Sequence, residues 1–159
     1  MAFIEAGTKF PAFTLPDQTG DKRKLADLTG PNGLVLYVYP KDDTPGCTVE
    51  AQAFRDHLDA LKAKGFHVVG LSKDSAASHC KFIEKYALTF PLLTDEKGEF
   101  LEKIGSWGEK TLYGKTSMGI IRSTFVVSAT GRLLKVYKNV RANGHAEKVV
   151  AALDALLGG

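Results

Sequence analysis

The chain reads as an α/β domain of three layers, with helices on both faces of a mixed sheet. Three observations predict this. Apolar runs of strand composition alternate with stretches of helical spacing, in the order β-α-β-α-β-β-α. The run Leu34-Val35-Leu36-Tyr37-Val38-Tyr39 is apolar at every position, so both its faces are covered, as in the middle of a parallel-type sheet. Late in the chain, Ser123–Val127 and Leu133–Lys138 flank the turn Ala129-Thr130-Gly131-Arg132, a hairpin that adds antiparallel strands. A strand, a crossover helix and a strand require a parallel pair, so the sheet is mixed.

The 159 residues suffice for one core and are too few for two comfortable ones, so 1–159 is read as a single domain. Residues 1–33 form an entry arm. In it Phe10-Pro11-Ala12-Phe13-Thr14-Leu15-Pro16 is short and extended, confined by its prolines. Asp17–Asp21 is a turn, Lys22-Arg23-Lys24 a solvated loop, and Leu25 and Leu28 mark a brief helical patch. The 34–39 strand stops at Pro40. Residues 47–64 then read as a helix with Val49, Ala53, Phe54, Leu58 and Leu61 as its apolar stripe and Gly65 as its stop. Phe66–Leu71 is the second strand. Ser75–Leu88 is the second helix, with Phe82, Ile83 and Tyr86 turned inward. Thr89–Thr94 is a short extended piece and Lys97–Ile104 a short helix. Gly105–Gly119 is dotted with glycine and reads as mostly loop. Glu147–Leu157 closes the chain as a helix, with Val149, Val150, Leu153 and Leu156 on its inner side.

Composition narrows the function. A hydrophobic share of 44% and a charged share of 25% are those of a globular domain, which excludes a disordered chain. The net charge of +3 is spread without a basic block, so no nucleic-acid partner is expected. The longest apolar run is about six residues, far short of a membrane span. Met1-Ala2-Phe3-Ile4-Glu5 lacks the basic start and apolar core of a leader, so the expected location is the cytoplasm. Two cysteines there do not make a disulfide framework; redox or nucleophilic chemistry fits them better. His57, His67, His79 and His145 show no metal-ligand spacing, and no metal is expected. No C-x-x-C pair supports a disulfide reductase, and no motif supports a Cys-His hydrolase. Trp107, Tyr37, Tyr39, Phe90 and Met118 read as core packing, with a peroxide- or partner-facing surface as the alternative.

One residue stands apart. Cys47 follows Pro40-Lys41-Asp42-Asp43-Thr44-Pro45-Gly46, at the point where a strand ends and a helix begins. A free cysteine is ordinarily a small buried hydrophobe. In the first turn of a helix, however, unpaired N–H groups and the positive end of the dipole favour a thiolate. The Pro, Asp, Thr and Gly flank argues against deep apolar burial.

The stretch from Pro40 through Thr44-Pro45-Gly46-Cys47-Thr48 resembles the active-site loop of peroxiredoxins. Ser78-His79, Phe90-Pro91-Leu92-Leu93-Thr94-Asp95, Trp107-Gly108-Glu109-Lys110 and Gly119-Ile120-Ile121-Arg122-Ser123-Thr124-Phe125 resemble the subgroup called bacterioferritin comigratory protein, or peroxiredoxin Q. The resemblance runs from about residue 10 to about residue 140, in several linked motifs. It implies a thioredoxin-like fold, which the element order fits, and a thiol peroxidase acting on hydrogen peroxide and organic hydroperoxides. It further implies thioredoxin as reductant, a monomer, and no haem, flavin or metal. Carried onto this chain, Cys47 is the peroxidatic residue, Thr44 holds the peroxide, Pro40 covers the sulfur, and Glu50 orients Arg122. Elementary chemistry agrees. A guanidinium beside sulfur favours thiolate and stabilises charge on a leaving oxygen, and a hydroxyl both donates and accepts as a peroxide requires.

One departure matters. Many members of the subgroup carry a resolving cysteine further along the first helix, where this chain has Gln52. Others place it on the next helix, where this chain has Cys80, one turn earlier than usual. The resemblance therefore implies that Cys80 attacks a Cys47 sulfenic acid to form a disulfide, with the first turn of the helix unwinding beside Pro45-Gly46. Two alternatives stand: a one-cysteine peroxidase with a structural Cys80, and a non-enzymatic redox-sensing or chaperone-like module.

Overall fold

Strand β3 (Gly33–Val38) is the middle of the molecule because its side chains alternate between two cores. The computed structural model describes residues 3–112 and 114–158; Met1 and Ala2, which open the stretch read for a leader, lie outside them. Ahead of β3 come β1 (Leu15–Pro16), β2 (Lys22–Arg23) and α1 (Leu25–Leu28). After it come α2 (Pro45–Asp56), α3 (Leu58–Ala63), β4 (Phe66–Ser72), α4 (Ala76–Tyr86), β5 (Leu92–Thr94) and α5 (Glu99–Ile104). The remaining elements are β6 (Trp107–Leu112), β7 (Lys115–Ile120), β8 (Ser123–Ser128), β9 (Leu133–Tyr137) and α6 (His145–Gly158).

The main sheet has the order β5-β4-β3-β8-β9, parallel through β5, β4 and β3 and antiparallel through β3, β8 and β9. This is the mixed sheet of a thioredoxin-like fold. Val35, Tyr37 and the following Tyr39 point to one face, where they pack with Ala51, Phe54, Leu61, Phe82, Val149 and Leu153 of the covering helices. Leu34, Leu36 and Val38 point to the other, against Phe10 and Phe13 of the arm and Phe100, Leu101 and Ile104 of α5. Each such fully buried side chain is worth about 1.5–3 kcal/mol of transfer free energy, which sets the register firmly.

Four sequence readings are corrected. The 47–64 helix is two helices, because His57 leaves helical dihedrals (φ −99°, ψ 5°) and ends α2. Its inner stripe is Cys47, Glu50, Ala51 and Phe54, and Val49 is 41% exposed; treating Cys47 and Glu50 as outward residues misplaces the stripe. Trp107–Leu112 and Lys115–Ile120 pair as a hairpin where a loop is expected: among the described residues β6 and β7 pair only with each other, and β7 is exposed along most of its length, so no one-sided alternation marks it. Lys22-Arg23 pairs with Leu15-Pro16 as a short ribbon. Smaller differences follow from where contact ends. Ile83 and Tyr86 are half-buried, and in α6 core contact stops at Leu153, leaving Leu156 exposed.

Candidate active site

Pro45 occupies the first position of α2, where its missing N–H costs nothing and its fixed φ suits the helix. Thr44 is the N-cap residue, and its carbonyl accepts the Thr48 N–H at 2.8 Å. Cys47 is thus the third helical residue, in the turn whose N–H groups lack intrahelical partners. It is only 1% exposed, packed with the core that includes Tyr37 and Phe54. The polar flank therefore does not keep it shallow, as its composition suggests: the thiol lies in the core.

Burial alone would make Cys47 inert, but Arg122 reaches it. Nη2 donates to Cys47 Sγ at 3.2 Å, while Nη1 donates to Glu50 Oε1 at 2.7 Å. Gly46 makes room for this, since a Cβ there would lie 3.2 Å from Nη2. The Arg122 backbone is held on both sides. Its carbonyl accepts the Val140 N–H at 2.8 Å, and the Ile121 N–H donates to the Ser106 carbonyl at 2.7 Å. Burial works against the guanidinium's charge, yet Glu50 and Cys47 beside it outweigh that and raise its pKa.

Glu50 shares the Cys47 face of α2 and is 1% exposed. Its Oε2 has no hydrogen-bond partner among the described residues. Burial pushes its carboxyl up from 4.5 to about 7 despite the opposing pull of Arg122. Burial, helped by Glu50 and Cys47, likewise holds the Tyr37 phenol neutral. One fixed cation therefore serves both the thiol and the carboxyl.

The loop above supplies the rest. Thr44 Oγ1 donates to the Lys41 carbonyl at 2.9 Å, which leaves its lone pairs free to accept. Pro40 is half-buried and lines a cavity of about 400 Å³ with Ile121, Arg122, Asn139, Val140 and the β6 residues Glu109, Lys110 and Thr111. A larger cleft of about 580 Å³, between the Phe10–Thr14 arm and the Ala129–Gly131 turn, holds none of these residues.

Cys80 stands elsewhere. It is exposed on α4, and its Sγ donates to the Gln18 carbonyl at 3.1 Å, in the turn between β1 and β2. Both cysteines are free. The fold thus gathers Cys47, Arg122 and Glu50, sets Pro40 in one cavity with Arg122 and Thr44 at the N-cap of the Cys47 helix, and does not bring Cys80 into that group.

Two buried polar pairs escape a reading of the sequence. Asp42 faces His79 Nδ1 at 2.7 Å, and Thr124 Oγ1 lies 2.8 Å from His145 Nε2. Burial, with the charges of Lys148 and Arg122, lowers His145 from 6.5 to about 4. Histidines scattered along the chain carry no local sign of such partners. Only the adjacency of Ser78-His79 to an N-capping Ser75 hints at a built helix start. Among the described residues, no group of three or more His, Cys, Asp or Glu gathers as a metal site, and no helix is long and apolar enough to cross a membrane.

Comparison with known proteins gives consistent results. Residues 6–136 match the model of the AhpC/TSA family. The chain is 42% identical to peroxiredoxin Bcp of Escherichia coli over 147 residues, covering 92% of this chain and 94% of that one. It superposes on the bacterioferritin comigratory protein of Xanthomonas campestris, a structure described for its alkyl peroxide reduction, with TM-score 0.86 and 36% identity over 96% and 99% of the two chains. A PrxQ cysteine-to-serine mutant from Xylella fastidiosa gives TM-score 0.89 and 33% identity over 98% and 99%.

Proposed function

The chain belongs to the AhpC/TSA family as a peroxiredoxin of the Bcp and PrxQ type, and from that premise we infer that Cys47 is the residue through which it reduces peroxides. The observation that carries this is the 3.2 Å contact from Arg122 to an otherwise buried sulfur.

The Cys47 thiolate attacks the terminal oxygen of hydrogen peroxide or an organic hydroperoxide. The S–O bond forms as the O–O bond breaks. Sulfur is oxidised to sulfenic acid, and hydroxide or alkoxide leaves and takes a proton to become water or alcohol. Arg122 lies beside the sulfur, where negative charge passes to the leaving oxygen, and help that grows along that path accelerates the step. Thr44 accepts the peroxide O–H, and Pro40 keeps water from the sulfur. Glu50 orients the guanidinium through Nη1.

Recycling completes the proposal. Cys80 attacks the sulfenic sulfur, a disulfide forms and water leaves; thioredoxin then restores both thiols by exchange. Bridging needs Cα atoms within about 7 Å, so the first turn of α2 opens during the cycle. The whole chain acts as one domain, as a cytoplasmic monomer. A second reading has its own support: Cys80 is engaged with Gln18 in the reduced fold, as expected if an external thiol resolves Cys47 directly. One equivalent of peroxide followed by mass mapping separates them. A Cys47–Cys80 disulfide supports the first, and a Cys47 sulfenate with free Cys80 supports the second. Oxidation that spares Cys47 defeats both.

A further inference from the structure

The loop that carries Pro40 and Thr44 is fastened to α4 by a second buried cluster that the chemistry above does not use. Asp42 lies between those two residues and is buried. Its Oδ1 accepts from Tyr39 Oη at 2.5 Å, and its Oδ2 accepts from Ser78 Oγ at 2.8 Å and faces His79 Nδ1 at 2.7 Å. Its backbone N–H donates to Asp74 Oδ2 at 2.8 Å, and Asp74 Oδ2 also takes the Ser72 hydroxyl at 2.7 Å. His79 is fully buried, and its Nε2 lies 3.0 Å from the Leu93 carbonyl of β5. A carbonyl only accepts, so Nε2 donates there. The other nitrogen meets a carboxylate already bound by two hydroxyls. The ring satisfies this site when both nitrogens donate, as an imidazolium paired with Asp42.

The next residue extends the hold. Asp43 adopts φ 59° and accepts from Lys85 Nζ at 2.8 Å and Tyr86 Oη at 2.7 Å, at the far end of α4. Two consecutive loop acids therefore grip the first and last turns of one helix. The inner grip is dry and the outer one exposed. Breaking one side of a buried ion pair leaves the other charge stranded, whereas an exposed pair contributes little.

We propose that His79 is a positioning residue: its ion pair with Asp42 is the latch that holds the Pro40–Thr44 loop over Cys47, and the opening of that latch admits a resolving thiol to the oxidised sulfur. The proposal rests on Cys47 as the peroxidatic residue. It makes the two half-reactions respond in opposite directions. A closed latch keeps Pro40 and Thr44 aligned on the peroxide, and an open one uncovers a sulfur that is 1% exposed.

The test uses the full chain in a Cys80→Ser background, so that it does not depend on which thiol resolves. Two rates are followed after mixing: oxidation of Cys47 by hydrogen peroxide, and capture of the Cys47 sulfenic acid by dithiothreitol, which forms a mixed disulfide and releases water. His79→Gln and Asp42→Asn should each slow oxidation about tenfold or more, as misplacement of reacting groups does, and speed capture severalfold. Asp43→Asn should move both rates the same way by less. Nitrogen NMR of the parent should show both His79 ring nitrogens protonated near neutral pH. Backbone amide exchange over residues 40–46, which needs no chemistry at Cys47, should rise about tenfold or more in the inner variants. Both rates unchanged, both rates falling together, or a neutral His79 ring would overturn the latch. If the parent's oxidation does not fall on Cys47 while amide exchange responds as stated, the latch holds and the peroxidatic assignment is what fails.

Discussion

Two buried polar clusters are built on the Pro40–Thr44 loop and on the helix that follows it, and their plans are opposite. Around Asp42 every bond is made: the carboxylate meets three donors and both nitrogens of His79 have partners. Around Cys47 bonds are left incomplete: one guanidinium faces two acidic groups, and Glu50 Oε2 has no partner among the described residues. A saturated network resists change of geometry and of charge. An under-bonded one in a dry site favours whichever reaction relieves it. On the proposed mechanism, oxidation of Cys47 to a sulfenic acid leaves Arg122 to Glu50. The proposed chemistry thus sits in the cluster that lacks bonds, beside the one that has them.

The largest way to break this contrast is to remove its reactive member. Cys47→Ser should abolish peroxide consumption with a thiol reductant while leaving thermal unfolding within about 1 kcal/mol, since the residues are nearly isosteric. A steady-state peroxide assay beside a melting curve checks both halves.

Removing the shared cation comes next. Arg122→Met should lower kcat/KM for peroxide about 100-fold or more, the scale of losing a charge-stabilising donor. Its stability cost should depend on pH. Without the opposing pull of Arg122 the Glu50 carboxyl rises further above 7, so near pH 6 it is protonated in both chains and the loss is small, while near pH 8 only the variant must hold that proton and the loss grows by up to about 1.4 kcal/mol. Denaturant titration at the two pH values measures the difference.

Titration of the native chain sharpens the comparison further. The folded Glu50 carboxyl, near 7, lies above its ordinary 4.5, so between these values the native state holds a proton that the unfolded state has released. Its contribution to stability is present at low pH and is lost as pH rises through that window, by something of the order of 3 kcal/mol. His145 has the opposite sign. Its folded value near 4 lies below 6.5, so the unfolded state takes up the extra proton and stability falls as pH drops from about 6.5 to about 4. Glu50→Gln should erase the first slope and His145→Gln the second, read from melting temperatures across pH.

The smallest expected effect is at Gly46. Gly46→Ala places a methyl 3.2 Å from Arg122 Nη2 and must shift the guanidinium by a few tenths of an ångström. A loss of kcat/KM of about threefold to tenfold, with stability changed by less than about 1 kcal/mol, is expected from comparative kinetics and melting.

Much of this is legible in the chain itself, for identifiable reasons. The β3 run shows its central place because both its faces are buried, and the parallel β3–β4 pair follows from the helices between them. Pro45-Gly46-Cys47 shows a thiol at a helix start because proline and glycine mark that junction. The β6–β7 hairpin is invisible because an exposed strand carries no alternation. The depth of Cys47 is hidden because its burial comes from core residues of other elements, such as Tyr37 and Phe54, and not from the polarity of its own flank. The Asp42–His79 pair joins residues from separate elements, so neither local sequence contains the other's need.

The claim on which the mechanism turns is that the Cys47 sulfur is an anion held by Arg122. Ultraviolet thiolate absorbance of the Cys80→Ser chain, followed against pH with and without Arg122→Met, addresses it directly. A thiolate signal near pH 7 that is lost in Cys47→Ser, and that Arg122→Met reduces to the few per cent of a free cysteine, is the expected result. No signal at that pH, or one indifferent to Arg122, would contradict the account.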